Sequence, residues 1–333
     1  GDVYKRQLLD MAKHAYEFLT EKCVDKEYGG VYWSMNYDGT VKDDFKHSYC
    51  QAFFIYALSS YYRASGDKNA LKLAYEIMDL VEKYATDDVA YLETMARDWK
   101  SELQNDELSE NGLMADKTMN TTLHLMEAYT ELYLADHSPK VLDRLKFQLD
   151  LTYDKIYDKE GHKLLVFFDR NMDVIGDIHS YGHDIEATWL IDRACEVIGD
   201  PAITAKFAEM NKAIVKNIAD IAYDKASGSL LNERDKDKIN TWRIWWVQAE
   251  TVIGFMNAYQ KHYGGKEYFE ISSSVWKFIQ EHIIDKRPGG EWHSQIDDNW
   301  KPADFKPMVD PWKCPYHNGR MCMEMMRRLA ENA

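Results

Sequence analysis

Apolar residues recur at helical spacing along almost the whole chain. The pattern predicts about ten helices, at residues 8–22, 48–64, 69–84, 118–135, 139–157, 183–197, 201–222, 242–262, 266–284 and 317–331. Extended pieces, such as Lys163–Phe168, are short and lie between pairs of helices. We therefore predict an all-α fold.

A second pattern repeats at long range. An Asp-led turn, in most copies with Gly, precedes a short extended piece near residues 25, 88, 158, 224 and 285. A period of about 65 residues fits a helical hairpin that cannot bury its apolar face alone, so the copies must stack in series or close into a ring. We predict one domain over residues 1–333, built as a toroid of helical hairpins, with an open superhelix as the alternative.

Composition narrows the classes of partner. The 333-residue chain has a formal net charge of −15, which argues against nucleic acid or an anionic membrane. No apolar run is long enough to span a membrane. Five scattered cysteines without a CxxC motif indicate a reducing compartment, so we expect a cytoplasmic location. Ten Trp and 22 Tyr suit stacking on sugars, although core packing accounts for most aromatic residues.

One stretch, Tyr181–Leu190, combines proton-transfer chemistry with an aromatic side chain. His183, Glu186 and Trp189 are spaced to share one face of a helix. The positive end of a helix dipole favours a neutral imidazole, which can accept and donate protons near neutral pH. Glu186 would orient His183. The alternative is a polar first turn followed by a buried Trp.

Three further stretches place polar residues in apolar helical contexts. Asn120 and His124 are four residues apart, as are Trp246 and Glu250. His317 follows Pro315, which places it where the last helix begins. In a ring of hairpins the three histidines can converge on a central cavity, although a lone His on an apolar face is more often a satisfied core residue.

The residue types leave several chemistries open. Three His and a Glu could bind a metal, but no HxxH, HxxxH or HExxH spacing joins two ligands, so we predict neither metal nor cofactor. Two neutral imidazoles across a cavity suit proton removal next to a carbonyl and its return, which gives epimerisation or aldose–ketose isomerisation. Glu186 and Glu250 could instead be the two acids of a glycoside hydrolase.

Four segments resemble one known family, the N-acylglucosamine 2-epimerase superfamily, and most closely its cellobiose 2-epimerase branch. They are SYGHDIEATWL, WWVQAE, WKCPYHNGR and MNTTLHLMEAYTELY, and the resemblance runs through essentially the whole chain. It implies an (α/α)6 barrel and cofactor-free C2 epimerisation of the reducing-end sugar of a β-1,4-linked disaccharide through a cis-enediolate. The alternatives are an isomerase of mannose-like monosaccharides, a glycoside hydrolase, or an inactive sugar-binding barrel.

The resemblance also implies residue roles. His317 would take the C2 proton and His183 would serve the opposite face of the sugar. The remaining expected contacts with the saccharide or the histidines are His124, Asn120, Tyr49, Glu186, Glu250, Trp246, Trp312 and Trp189, the last as cavity wall. The expected partner is a small saccharide, and the chain is expected to be a monomer or a weak homodimer.

The chain departs from the family at its start. Family members begin with a further hairpin before the segment corresponding to residue 8, and its second helix carries an arginine that polarises the O1/O2 region of the substrate. No counterpart is found, since Lys46 lies elsewhere in the pattern. We therefore expect an N-terminally truncated form with exposed apolar faces on neighbouring helices and a rate lower by about 100-fold or more.

Overall fold

The structure, a computed structural model, describes residues 2–104, 106–109 and 112–330. Within these residues the α-helices are α1 Asp2–Phe18, α2 Ser48–Ser65, α3 Lys68–Tyr84, α4 Met119–Asp136, α5 Pro139–Leu151, α6 Tyr181–Ile198, α7 Pro201–Ile221, α8 Trp245–Gln260, α9 Lys266–Phe278 and α10 Tyr316–Ala330. Helices α1, α5 and α9 continue into π-helical turns at Leu19–Cys23, Thr152–Ile156 and Ile279–Ile283. The predicted all-α fold with about ten helices is confirmed; residue 331 of the last predicted helix lies outside the described residues.

Short antiparallel strands connect the helices. The two-stranded pairs are Ser34–Met35 with Val41–Asp43, Lys46–His47 with Thr94–Met95, Lys117–Thr118 with Phe167–Phe168, Tyr157–Asp158 with Lys163–Leu164, Tyr223–Asp224 with Ser229–Leu230, and Arg243–Ile244 with Gln295–Ile296. A three-stranded sheet has Glu233–Asp235 in the centre, between Ile178–Ser180 and Lys238–Asn240. The single extended piece predicted at Lys163–Phe168 is two separate strands.

Two compact units make up the chain. The first unit comprises Gly1–Ile156 and Val166–Gly176, and the second comprises Tyr157–Leu165 and Asp177–Ala333. In the first unit, α2 packs against α1, α3 and α4, and α4 packs against α5. In the second unit, α6 packs against α7 and α8, and α8 packs against α9 and α10. A single domain over residues 1–333 stays a prediction.

Buried and amphipathic helices alternate along the chain. Every residue of α4 from Thr121 to Leu132 is buried. By contrast, α3 buries one stripe at helical spacing, consisting of Ala70, Ala74, Ile77, Met78 and Val81. A helix that is buried on all sides needs neighbours on all sides, whereas a striped helix can face water on its other side. Helices such as α4, α6 and α8 therefore form the centre of each unit's packing.

The predicted repeated turn is present in all five copies. In each, the Oδ1 atom of an aspartate accepts the backbone N–H of the residue two positions later, at 2.9 to 3.1 Å. The five aspartates are Asp25, Asp87, Asp158, Asp224 and Asp285. This Asx turn satisfies backbone donors that the reversal of the chain would otherwise leave unpaired.

A buried cation joins three of these turns to the start of a later helix. Lys46, two residues before α2, donates to Asp25 at 2.9 Å, and both side chains are fully buried. Lys117, before α4, pairs with Asp87 at 2.7 Å. Arg243, before α8, pairs with Asp224 at 2.6 Å. Lys46 does not correspond to the family arginine in the sequence pattern, and its structural role is this ion pair.

The other two copies use different partners. Lys313, ahead of α10, is buried and pairs with Glu291. In the third copy the cation position holds His179, whose Nε2 lies 2.6 Å from Asp184 Oδ2 within α6. The starts of α6, α8 and α10 in the second unit are thus held by side-chain contacts of His179, Arg243 and Lys313.

The fourth residue of a buried helix binds the turn backbone as well. Gln51 accepts from the Val31 amide and donates to the Val31 carbonyl, both at 2.8 Å. Gln248 makes the same pair of bonds to Leu230, at 3.0 and 2.8 Å. Asp184 accepts from the Leu164 amide at 3.0 Å. Buried strand backbone therefore finds partners on the following helix.

Exposed apolar side chains occur on α1 and on α10. Leu8 and Met11 of α1 are 68% and 70% exposed. On α10, Met323 and Met326 are 63% and 65% exposed. The preceding hairpin inferred from the family stays a prediction. No helix in the described ranges is long and apolar enough to cross a membrane.

We predict that Asp25→Asn destabilises the protein by about 3–5 kcal/mol, because Lys46 then loses its carboxylate in a fully buried site. Burial alone would raise the pKa of Asp25, but Arg97 and Lys46 outweigh it and hold the pKa well below its usual range. The measurement is the free energy of urea unfolding at pH 7.

The matched control for this variant is Asp158→Asn. Asp158 caps its turn in the same way, through the amides of Glu160 and Gly161 at 3.1 Å. Asn keeps the accepting Oδ1 atom of the turn, and Asp158 is only half-buried, so this variant should lose about 1 kcal/mol or less. Equal losses in the two variants would show that loss of the buried ion pair is not what destabilises Asp25→Asn.

Candidate active site

Three helix starts in the second unit bring the predicted catalytic side chains together. α6 supplies His183 and Glu186, α8 supplies Trp246 and Glu250, and α10 supplies His317. All five residues lie in the first two turns of their helices.

His317 is held by a carboxylate. Its Nδ1 lies 2.7 Å from Glu250 Oε1 and 3.9 Å from Glu186 Oε1. A carboxylate that is ionised can only accept, so the proton of this bond lies on Nδ1 and proton transfer to a substrate would use Nε2. The His317 side chain is 15% exposed, whereas both glutamates are fully buried.

Arg320 joins the two buried glutamates. Its Nη2 donates to Glu186 Oε1 at 2.6 Å and to Glu250 Oε1 at 2.7 Å. The guanidinium also lies over the rings of Trp189 and Tyr316, at 4.8 and 4.4 Å from their centroids. Two buried carboxylates without a countercharge would be very costly, so Arg320 is what allows both to remain ionised. We call Glu186, Glu250 and Arg320 the carboxylate–arginine cluster.

Glu250 accepts three hydrogen bonds, from Trp189, His317 and Arg320. The Trp189 indole N–H donates to its Oε2 at 2.9 Å. Burial would raise the pKa of Glu250, but Arg320 and His317 outweigh burial and lower it below the ordinary value. Glu250 therefore remains a negatively charged acceptor for the imidazole of His317 near neutral pH.

His183 contacts Ser180, and Glu186 contacts Arg320. The Nδ1 atom of His183 lies 2.7 Å from the hydroxyl of Ser180, and Glu186 accepts from Arg320. That Glu186 orients His183 stays a prediction. The His183 ring lies 4.7 Å from the Trp246 ring, and the Trp246 ring lies 5.5 Å from the His317 ring. Both imidazoles therefore contact one indole, and their separation cannot exceed the sum of these two distances.

A second group of predicted residues lies in the first unit. His124 Nδ1 bonds to Glu127 Oε2 at 2.9 Å, and the His124 ring packs edge-on against Tyr49 at 5.2 Å. The buried Oδ1 atom of Asn120 has no hydrogen-bond partner among the described residues. A hydroxyl group of a bound sugar could satisfy it. That this group shares a cavity with His183 and His317 stays a prediction.

Two predicted aromatic residues differ in their surroundings. Trp312 is 48% exposed, in the loop before α10, and is accessible to a ligand. Trp189 was expected to line the cavity wall, but it is 2% exposed, and it bonds to Glu250 and lies under Arg320. Trp189 therefore contacts the carboxylate–arginine cluster through both Glu250 and Arg320.

Glu186, Glu250 and His317 have the residue types of a metal site, and their ligand atoms lie within 4.8 Å of one another. Arg320, however, donates to the Oε1 atoms of both glutamates. A guanidinium thus supplies the positive charge that a metal would bring, and the site resembles a buried ion-pair network more than an open coordination sphere.

Sequence reasoning missed two residues of this site, Arg320 and Ser180. Arg320 lies three residues after His317, on the same helix face, in the segment WKCPYHNGR. Two buried glutamates require a nearby cation, and this requirement would have pointed to Arg320. The burial of the glutamates is not visible in the sequence. Ser180 precedes α6, where a serine usually serves as a helix cap, so its contact with His183 had no distinct signal.

We predict that Glu250→Gln lowers the free energy of unfolding by about 3 kcal/mol at pH 7, since Arg320 loses one of two buried partners. The folded-state pKa of Glu250 is lowered, so its contribution is present above the unfolded pKa of about 4.3 and is lost as pH falls through the folded value. Urea unfolding of both proteins from pH 7 to pH 3 should show the difference narrowing below about pH 4.

Glu21→Gln is the control for this comparison, because Glu21 is exposed in the turn after α1. Its stability should follow the wild-type curve at every pH. A Glu250→Gln difference that stays constant down to pH 3 would contradict the assignment of an ionised Glu250 in the folded protein.

Known proteins resemble this chain closely. The N-acylglucosamine 2-epimerase (GlcNAc 2-epimerase) family matches residues 3–317. Cellobiose 2-epimerase of Ruminococcus albus is 58% identical over 322 residues, which are 97% of this chain and 82% of that protein.

Two solved structures have the same fold. The crystal structure of a sugar epimerase from a ruminal bacterium has a TM-score of 0.94 at 57% identity and covers 96% of this chain and 82% of its own. The structure of cellobiose 2-epimerase from Bacillus thermoamylovorans has a TM-score of 0.92 at 41% identity. The match covers 98% of this chain and 83% of that chain. The predicted fold class, that of the (α/α)6 barrels, and the predicted family are both confirmed. The chain belongs to the N-acylglucosamine 2-epimerase family.

Proposed function

We propose that this chain is a carbohydrate epimerase that inverts C2 of the reducing-end sugar of a β-1,4-linked disaccharide of the cellobiose type. The observation that carries the proposal is the pair of imidazoles, His183 and His317, in contact with the single indole of Trp246. The 58% identity to a protein named cellobiose 2-epimerase supports the choice of reaction and substrate.

The reaction requires two proton transfers at one carbon. In the open-chain sugar the C1 aldehyde acidifies the proton on C2. Neutral His317 takes this proton through Nε2, and the electron pair moves into a C1–C2 double bond, giving a cis-enediolate. Protonated His183 then returns a proton to C2 from the opposite face, and the aldehyde forms again with C2 inverted. The two histidines exchange roles in the reverse direction.

The carboxylate–arginine cluster supports the base. When His317 gains a proton, the imidazolium is stabilised by Glu250, 2.7 Å from its Nδ1. Arg320 prevents Glu250 from taking that proton itself, because the adjacent guanidinium favours the ionised carboxylate. The cluster therefore fixes both the ring orientation and the basicity of His317.

Sugar binding would use both aromatic and polar side chains. Trp246 and the exposed Trp312 provide apolar faces of the kind that stack on pyranose rings. Hydroxyl groups of the sugar would be contacted by Asn120, His124 and Tyr49. The buried Oδ1 atom of Asn120 has no hydrogen-bond partner among the described residues. We further propose a cytoplasmic monomer or weak homodimer without cofactor, since the chemistry needs only two bases and hydrogen-bond donors.

The reaction is tested with cellobiose in deuterated water. Epimerisation should give the mannose-containing disaccharide with deuterium at C2, detected by NMR and mass spectrometry. A fructose-containing product would instead indicate an aldose–ketose isomerase, and released glucose would indicate a hydrolase. Sugar binding without exchange at C2 would indicate an inactive binding protein.

We predict that His183→Asn and His317→Asn each lower the rate of C2 deuterium exchange by about 100-fold or more, because each variant lacks one of the two proton carriers. His137→Asn is the control: His137 is exposed at the end of α4 with φ of 56°, a conformation that Asn also adopts readily. Wild-type exchange in either active-site variant would refute the two-histidine mechanism.

A further inference from the structure

The two candidate bases have chemically different partners on the same ring nitrogen. Nδ1 of His317 faces the charged Glu250, and Nδ1 of His183 faces the neutral hydroxyl of Ser180. A carboxylate accepts only, whereas a hydroxyl can both accept and donate. The Ser180 contact, at 2.7 Å, is as short as the Glu250 contact.

Ser180 occupies a helix-cap position without acting as a cap. It immediately precedes α6 with an extended backbone, φ −86° and ψ 103°, but its side chain makes no capping hydrogen bond. A serine in this position usually accepts an amide hydrogen bond from the first helical turn, which stabilises the helix. Here the hydroxyl turns to His183 instead, which indicates a use other than helix stability.

The backbone around Ser180 is held on both sides. Ser180 is buried and pairs with Glu233 in the three-stranded sheet. Its neighbour His179 bonds to Asp184 at 2.6 Å, and Asp184 bonds to the Leu164 amide. The backbone that carries the Ser180 hydroxyl is therefore fixed, which is required of a residue that positions another side chain.

We propose that Ser180 is a positioning residue that holds the His183 ring by Nδ1 and leaves proton transfer to Nε2. This inference rests on the proposed epimerase function. When His183 is protonated, the hydroxyl accepts from Nδ1–H. When His183 is neutral, the hydroxyl can still accept from Nδ1–H, so the ring need not turn between the two proton transfers.

The test compares Ser180→Ala with Ser180→Thr, which keeps a hydroxyl. Ser180→Ala should lower kcat for C2 exchange by about 3- to 10-fold, the effect of one lost hydrogen bond, with KM within about 2-fold of wild type. Ser180→Thr should restore most of the rate. Ser138→Ala is the matched control, since Ser138 also precedes a helix, α5, without a capping bond from its side chain, and its kcat should not change.

A second readout does not depend on turnover. NMR spectra of the full chain with 15N-labelled histidine distinguish Nδ1–H from Nε2–H, and loss of one signal in His183→Asn assigns His183. In wild type and Ser180→Thr, neutral His183 should carry its proton on Nδ1. In Ser180→Ala the ring should shift towards the Nε2–H form.

The outcomes separate this proposal from the proposed function. Absence of C2 exchange in wild type would refute the function, while the NMR comparison would still test Ser180. Wild-type exchange with an unchanged kcat and unchanged His183 nitrogen signals in Ser180→Ala would overturn the positioning role. So would a Ser180→Thr variant that folds, by circular dichroism, but fails to recover both the rate and the nitrogen signals.

Discussion

An ion pair between a turn aspartate and a buried cation ahead of the next helix is the constraint on which this fold depends. Lys46 with Asp25, Lys117 with Asp87 and Arg243 with Asp224 each tie an Asx turn to the residues that begin the next hairpin. Such pairs gain little over an apolar contact, but they are very costly to break or mismatch. They therefore specify which turn packs against the start of which helix. This matters for function because the candidate active site in the second unit is built from the first turns of α6, α8 and α10.

The third copy of this arrangement is one of two exceptions, and it lies beside the candidate base His183. The cation position is occupied by His179, and its partner, Asp184, is in α6 rather than in the turn. Asp184 also takes the place of Gln51 and Gln248 as the residue that binds the strand backbone. One side chain thus performs two tasks that other copies divide, which ties Ser180 and His183 closely to the strand ahead of them.

The helices and turns were predictable because their signals are local. Apolar spacing of 3.6 residues marks α3 as well as any helix of the chain, and Asp followed by Gly marks turns such as 158–161. The π-helical ends at Thr152–Ile156 and Ile279–Ile283 were predicted only as helix, since one wider turn hardly changes the apolar pattern.

The site was predictable in its residues but less so in its pairings. His183, Glu186, Glu250 and His317 were each recognisable by type and by position in a helix start. Which carboxylate meets which imidazole depends on the packing of α6, α8 and α10, residues more than 60 positions apart, and periodicity contains no such information. For the same reason the contact of Trp189 with Arg320 could not be predicted, and its place in the cavity wall stays a prediction.

The shared oxygen of Glu250 has an electrical consequence for the catalytic cycle. Glu186, Glu250 and Arg320 together carry one negative charge, which a proton on His317 cancels. Ser180 brings no charge to His183, so a proton there is not neutralised by this contact. Before proton abstraction the cluster beside neutral His317 is therefore negative and His183 is positive, whereas after inversion the cluster with protonated His317 and the His183–Ser180 pair are both neutral. The electric field across the bound sugar would thus decrease as the reaction advances.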